Sequence, residues 1–265
     1  MKLRKEIIPF FPEMIQKLIN EGKDPHYYII QSFMEDKSLG LSELDKQSLV
    51  DSHYLISKEI ISPHSTEDIF TFIKEILSIP SSRKGCIVEA GSYKGSSTAK
   101  FSLAANLAGR ELVVCDSFMG LPSHNEVHGI SIEGREVVFR EGDFSGSLQE
   151  VKSNIIKYGN ISSCTFIKGW FETSLANWLQ PIAAIYLDVD LQKSTRDCLK
   201  YLYPWLTPGG SLYSQDGHLP LVLDVFEDVN FWRNEIGTQP PIVVGIRKKK
   251  LIKITKPDTP SLPLL

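Results

Sequence analysis

The stretch Cys86-Ile-Val-Glu-Ala-Gly-Ser-Tyr-Lys-Gly-Ser-Ser-Thr-Ala-Lys100 constrains the fold more than any other part of the chain. It begins as a short apolar run suited to a buried strand and closes on Glu89. It then turns at Gly91 and leads into a small-residue helical pattern over Thr98–Leu107. Strand, tight turn and helix in that order form the first half of a nucleotide-binding βαβ unit. The spacing is Glu-x-Gly-x-x-x-Gly, not the Gly-x-Gly-x-x-Gly of dinucleotide sites. A pyrophosphate needs bare amides at a helix N-terminus, and a nucleoside without phosphates does not.

From Cys86 onward strand and helix patterns alternate. Strands are predicted at Cys86–Ala90, Glu111–Cys115, Cys164–Lys168, Ala183–Leu187 and Gly210–Ser214. Helices are predicted at Thr98–Leu107, Ser147–Tyr158, Glu172–Leu179, Ser194–Leu206 and Leu219–Asn234. The alternation implies an α/β fold with a doubly wound, mostly parallel sheet. Ile242–Ile246 and Leu251–Thr255 flank a basic turn and read as an antiparallel C-terminal hairpin on that sheet. Before residue 80 there is no strand rhythm. Glu13–Glu21, Glu43–Leu49 and Ser65–Leu77 carry apolar residues at helical intervals, and Ser65 with Asp68 suggests a helix N-terminus. The chain therefore divides into a helical N-terminal cap (residues 1–80), one α/β domain (81–256) and a proline-containing tail (257–265).

Composition removes several function classes. A net charge of -3 gives no global attraction to nucleic acid or an anionic membrane surface. The run Arg247-Lys-Lys-Lys250 at a hairpin tip reads as a solvated turn. No uncharged apolar stretch is long enough to cross a bilayer, and the proline-broken N-terminus lacks the features of a signal peptide. Cys86, Cys115, Cys164 and Cys198 are widely spaced and read as free thiols of a reducing compartment, which places the chain in the cytoplasm. Self-association is left open.

Open parallel sheets bind ligands at the carboxyl ends of their strands. Those ends carry Glu89 and Gly91, Asp116-Ser117, Lys168-Gly169-Trp170, Asp188-Val189-Asp190 and Gln215-Asp216-Gly217-His218. Four of the five ends bring a carboxylate to one rim, more than turn formation requires. Asp116, ending the second strand, suits the paired hydroxyls of a ribose, or alternatively caps its own loop. A cationic ligand would gain from Glu89 and Asp188. S-adenosylmethionine, with a ribose, an adenine and a sulfonium, meets this description. His218 is a candidate base near neutral pH. The polar stretch Pro122–Arg135, with His124 and His128, reads as a lid or a merely flexible loop.

Five segments occur in the order and spacing of one family: Val88–Ser97, Asp116–Pro122, Lys168–Thr173, Leu187–Thr195 and Tyr203–Gly210. Over about residues 85–235 the chain resembles the macrocin O-methyltransferase family, a class I group of S-adenosylmethionine-dependent, Rossmann-like methyltransferases. The resemblance implies an O-methyltransferase whose partner is a small molecule bearing a hydroxyl, such as a sugar or polyhydroxy secondary metabolite. It implies a cofactor over Glu89, Gly91, Gly95 and Ser97, with Asp116 and Ser117 at the ribose, Lys168, Gly169 and Trp170 near the adenine, and Asp188 close by. It further implies a divalent metal, commonly magnesium, held by Asp188, Gln215 and Asp216, with Asp190 as general base. Gln215 departs from the family's pair of aspartates, so the metal is either bound more weakly or dispensed with, the former being preferred. The alternatives are a metal-independent N- or O-methyltransferase of another metabolite class and a non-catalytic cofactor-binding module.

Overall fold

The computed structural model describes residues 27–258. The expected helix Glu13–Glu21 and the end of the tail lie outside the described residues. In chain order come helices α1 (Tyr27–Glu35), α2 (Glu43–Glu59) and α3 (Thr66–Ser78). The alternating part follows as β1 (Cys86–Ala90), α4 (Ser96–Leu107), β2 (Leu112–Asp116), the short strands β3 (Gly129–Ile130) and β4 (Glu136–Val137), α5 (Leu148–Tyr158) and β5 (Cys164–Lys168). Then come α6 (Phe171–Ser174), β6 (Ile182–Leu187), α7 (Gln192–Leu202), β7 (Leu206–Ser214), α8 (Pro220–Glu227), α9 (Val229–Phe231), β8 (Val243–Val244) and β9 (Ile252–Thr255).

The main sheet has seven strands in the order β5-β2-β1-β6-β7-β9-β8. Its first five are parallel, and the hairpin β8–β9 adds antiparallel to β7. The connection from β1 proceeds to β2 on one side, whereas β6 lies on the other. This reversal is the switch point of the sheet, and it puts the ends of β1 and β6 side by side.

The pleat sorts β1 between two cores. Val88 and Ala90 join Ile185, Leu187 and Leu212 under α7 and α8. Ile87 joins Ala184, Tyr186 and Tyr213 under α1, α3 and α4. The N-terminal helices thus share a core with one face of the sheet. Ser65 caps α3 by accepting the Asp68 N–H, and the Asp68 carboxylate returns to the Ser65 N–H, a complete capping box.

The differences from the predicted elements are local. Helix α2 runs ten residues past Leu49, because its buried stripe includes Lys46 and His53, which apolar periodicity does not count. Glu172–Leu179 shortens to the single turn α6. Leu219–Asn234 is not one helix: Asp228 ends α8 and caps a new turn by accepting from the Asn230 and Phe231 N–H groups, both at 3.0 Å. The stretch Pro122–Arg135 is partly ordered by the β3–β4 pairing. Cys86, Cys115 and Cys198 are buried, Cys164 is half-buried, and all four thiols are free.

Candidate active site

A cavity of about 270 Å³ opens over the carboxyl ends of the parallel strands. It exists because β1 ends in glycine. Gly91 has φ 89°, and a Cβ there would stand 1.8 Å from the Asp188 carbonyl oxygen. Only glycine lets the two strand ends meet this closely. The Gly91 N–H donates to Cys115 at 3.0 Å and the Asp188 N–H to Ala90 at 2.9 Å, so the switch point is pinned from both sides. Tyr93 and Gly95 continue the turn with φ 47° and 82°, and Gly95 delivers the chain into α4.

Beneath this turn Glu89 is fully buried, and neither carboxyl oxygen has a hydrogen-bond partner among the described residues. Burial pushes its carboxyl up to about 8; the Ser97 and Thr98 hydroxyls lie nearby without well-formed bonds to it. Asp116 ends β2 with both oxygens engaged. Oδ2 accepts from the Ser92 N–H at 2.7 Å and the Ser92 hydroxyl at 3.2 Å, and Oδ1 accepts from the Phe118 N–H at 2.6 Å. Burial raises it, and these bonds work in the opposite direction. Oδ1 keeps an acceptor position for a ligand hydroxyl. A glycine cradle at the switch point with the Asp116 carboxylate beside it fits a ribose-bearing group.

Of the residues read from sequence, Gly91, Ser97, Asp116, Ser117, Gly169, Trp170, Asp188, Asp190, Asp216 and His218 line the cavity. Glu89 and Gly95 support it from below and from the turn. Lys168 departs from expectation: it ends β5 facing solvent and does not line the cavity. Gln215 is buried beneath the site, with Oε1 accepting from the Tyr186 hydroxyl at 2.8 Å and Nε2 donating to Asp68 at 3.0 Å.

Asp188, Asp190 and Asp216 bring carboxylate oxygens within 4.8 Å of one another. Asp216 Oδ2 accepts from the Val189 and Asp190 N–H groups at 2.9 and 3.0 Å, which holds Asp190 in a left-handed conformation with φ 60°. Burial and then the neighbouring charges of Asp216 and Asp188 raise Asp190 well above the ordinary carboxyl range. Burial and the Asp188 charge push Asp216 up to about 7. Asp188 goes the other way: burial opposes its charge, but the His64 imidazole together with Lys250 and His218 holds it below the usual range.

Sequence reasoning missed His64. Its Nε2 stands 2.7 Å from Asp188 Oδ2, and its Nδ1 stands 3.0 Å from the Ser62 hydroxyl. No motif around Pro63-His64 signals this, because the contact joins residues 124 positions apart. Lys250, last of the basic run, also lines the cavity, whereas Arg247 pairs with Glu227 on the surface.

Of the ligand set implied for a divalent ion, Gln215 does not fit: its amide is neutral and tied to Tyr186 and Asp68. Asp188 and Asp216, joined by Asp190, do fit: Asp188 Oδ2 meets His64 and Asp216 Oδ2 holds two main-chain N–H groups, so each keeps its other oxygen for a hard cation.

Part of the cavity wall is aromatic. Phe139, Phe144, Trp170 and Phe171 line it, and Tyr93 and Phe139 each meet Phe144 edge-on with ring centroids 5.8 and 6.0 Å apart. The loop carrying Phe139 and Phe144 is held at two points. Glu126 accepts from the Gln192 and Lys193 N–H groups at the start of α7, and the Ile132 N–H donates to the His218 carbonyl at 3.0 Å.

Comparison with known proteins agrees with this architecture. The chain is 31% identical over 164 residues to the 8-demethyl-8-(2,3-dimethoxy-alpha-L-rhamnosyl)-tetracenomycin-C 4'-O-methyltransferase of Streptomyces olivaceus, a match covering 60% of this chain and 61% of that protein. It is 29% identical over 166 residues to the mycinamicin III 3''-O-methyltransferase of Micromonospora griseorubida, covering 60% of this chain and 64% of the relative. The matches therefore span less than two thirds of either relative's length. Among solved structures, the O-methyltransferase NovP shares the fold with a TM-score of 0.58 at 22% identity, over 72% of this chain and 78% of that one. The family model for macrocin O-methyltransferase (TylF) matches residues 72–244. With its mostly parallel sheet and its glycine turn at the switch point, the chain belongs to the macrocin O-methyltransferase family.

Proposed function

We propose that the chain is an S-adenosylmethionine-dependent O-methyltransferase acting on a hydroxyl of a sugar or polyhydroxy small molecule. The observation that carries this reading is the cradle at the switch point, where Gly91 abuts Asp188 above the unpartnered Glu89. Family membership and two relatives named for methylating sugar positions support it.

When bound, S-adenosylmethionine supplies an electrophilic methyl group on a sulfonium. Gly91, Gly95 and Ser97 form the turn against which it would rest, Asp116 Oδ1 would accept a ribose hydroxyl, and Trp170 would flank the base. Asp190 takes the proton of the acceptor hydroxyl. Its raised affinity for protons, caused by burial and the flanking carboxylates, brings it nearer the working pH than an exposed aspartate. His218, whose proton affinity burial lowers and whose Nδ1 has no partner among the described residues, is the second candidate base. The aromatic wall excludes water and offers a flat apolar surface to whatever carries the hydroxyl.

Methyl-labelled S-adenosylmethionine incubated with a panel of glycosides bearing free sugar hydroxyls tests the proposal. Label should appear on a hydroxyl of at least one glycoside, and Asp190→Asn should lower kcat by about 100-fold or more. Cofactor binding without transfer to any hydroxyl, or an undiminished Asp190→Asn/His218→Ala double variant, would overturn it.

A further inference from the structure

The cavity opens to solvent at an apolar mouth. Ile61 is 70% and Phe144 41% exposed, yet both line the cavity together with the half-buried Tyr93. They come from three parts of the chain: the segment joining α2 to α3, the loop before α5 and the turn after β1. None of them belongs to an apolar core of the described residues. Phe144 is the least expected of the three. Its φ of 57° is a left-handed conformation that disfavours a bulky side chain, and Tyr93 shares the strain at φ 47°. The loop is nevertheless held there. The Leu121 N–H donates to the Asp143 carbonyl and the Gly142 N–H to the Leu121 carbonyl, both at 2.9 Å. Gly146 passes so close to Tyr93 that a Cβ would stand 2.0 Å from the Tyr93 carbonyl oxygen. The Phe144 ring meets Tyr93 at 84° and Phe139 at 72°. A strained, firmly held and partly exposed ring at a cavity mouth points to a ligand, because the core does not account for it.

The charge of the lining limits what can cover this mouth. Four carboxylates line the cavity with two lysines, and among the described residues no arginine does. Lys94 lies 3.9 Å from Glu150, and the charge of Lys250 bears on Asp188, Asp190 and Asp216. A diphosphate would therefore find no guanidinium fork and an excess of like charge. A neutral acceptor with one polar and one apolar end meets matching surfaces: its hydroxyls reach the carboxylates and its apolar end stays at the mouth. We propose that Ile61, Tyr93 and Phe144 form a subsite for an aromatic aglycone, so that the acceptor is a neutral aryl glycoside and not a sugar nucleotide. A flat ring against Phe144 gains aromatic contact beyond the area it covers. The inference rests on the methyltransferase reading and adds to it the chemical class of the group that carries the sugar.

Three probes titrated calorimetrically into the full chain saturated with S-adenosylhomocysteine test this: 2-naphthyl β-D-glucopyranoside, methyl β-D-glucopyranoside and uridine diphosphate glucose. The naphthyl glucoside should bind at least about ten-fold more tightly than the methyl glucoside, and the sugar nucleotide no more tightly than the methyl glucoside. Phe144→Ala should cut the naphthyl preference to less than about three-fold. Phe144→Gly, which suits the left-handed conformation, provides the same comparison should the alanine protein not fold. Naphthyl and methyl glucosides binding alike or not at all, the sugar nucleotide binding best, or a preference that survives loss of the ring would each overturn the inference. So would a loss of S-adenosylhomocysteine affinity in the variant equal to the loss for the naphthyl glucoside, because it would put the Phe144 ring at the cofactor. Failure of S-adenosylhomocysteine to bind the folded wild type would instead count against the methyltransferase assignment, and the inference would fall with it.

Discussion

Gly91 and Glu89 show how much of the site rests on single side chains. A methyl group at position 91 would overlap the Asp188 carbonyl and impose φ 89° on a residue with a Cβ. Gly91→Ala should therefore lose at least about 2 kcal/mol of stability, read from urea denaturation. Glu89 makes a pH-dependent contribution. Its carboxyl is raised to about 8 in the folded chain by burial, against an ordinary value of 4.5. The folded state therefore holds a proton that the unfolded state has released, and stability falls as pH rises between these values. Glu89→Gln removes that cost, so the stability of the variant relative to wild type should be greater at pH 9 than at pH 5. A constant difference would contradict this. Gly91 was legible from the spacing of one strand–turn–helix run, and Asp116, Asp188 and Asp190 from their places at the ends of apolar strand runs. His64 and Lys250 were not, since tertiary packing alone carries them into the cavity from residues that read as loop and solvated turn.

At the level of elements, α7 starts on Leu191, which has no side-chain cap of its own, and Glu126 supplies the missing acceptor from the aromatic loop. A carboxylate at a helix N-terminus also meets the positive end of the dipole. Glu126→Ala should cost about 1 kcal/mol and raise amide exchange across residues 122–137, measured by mass spectrometry. Protection unchanged there would mean that the Ile132–His218 tether alone holds the loop. The parallel strands were readable from their apolar runs to within a few residues. Helix ends were less so, because caps from distant residues and interruptions such as Asp228 leave no periodic trace. The Ser65–Asp68 capping box, which is local, was read correctly.

On the scale of the whole molecule, helices α1–α4 and one face of the sheet form a single core through Phe33, Phe72, Phe101 and Tyr186. A chain beginning at Pro80 would expose that face, and it should fail to give a cooperative thermal transition. No described helix is long and apolar enough to cross a membrane. The sheet's strand order brings Gly91, Asp116 and Asp188 to one rim, which makes a nucleoside cradle the central claim about this protein. Calorimetric titration of S-adenosylmethionine into wild type and Asp116→Asn tests it most directly, with thermal unfolding as a check that the variant is folded. The cradle requires one site per chain in the wild type and at least about ten-fold weaker binding in the variant. No binding to the folded wild type, or equal affinity in both proteins, would contradict it.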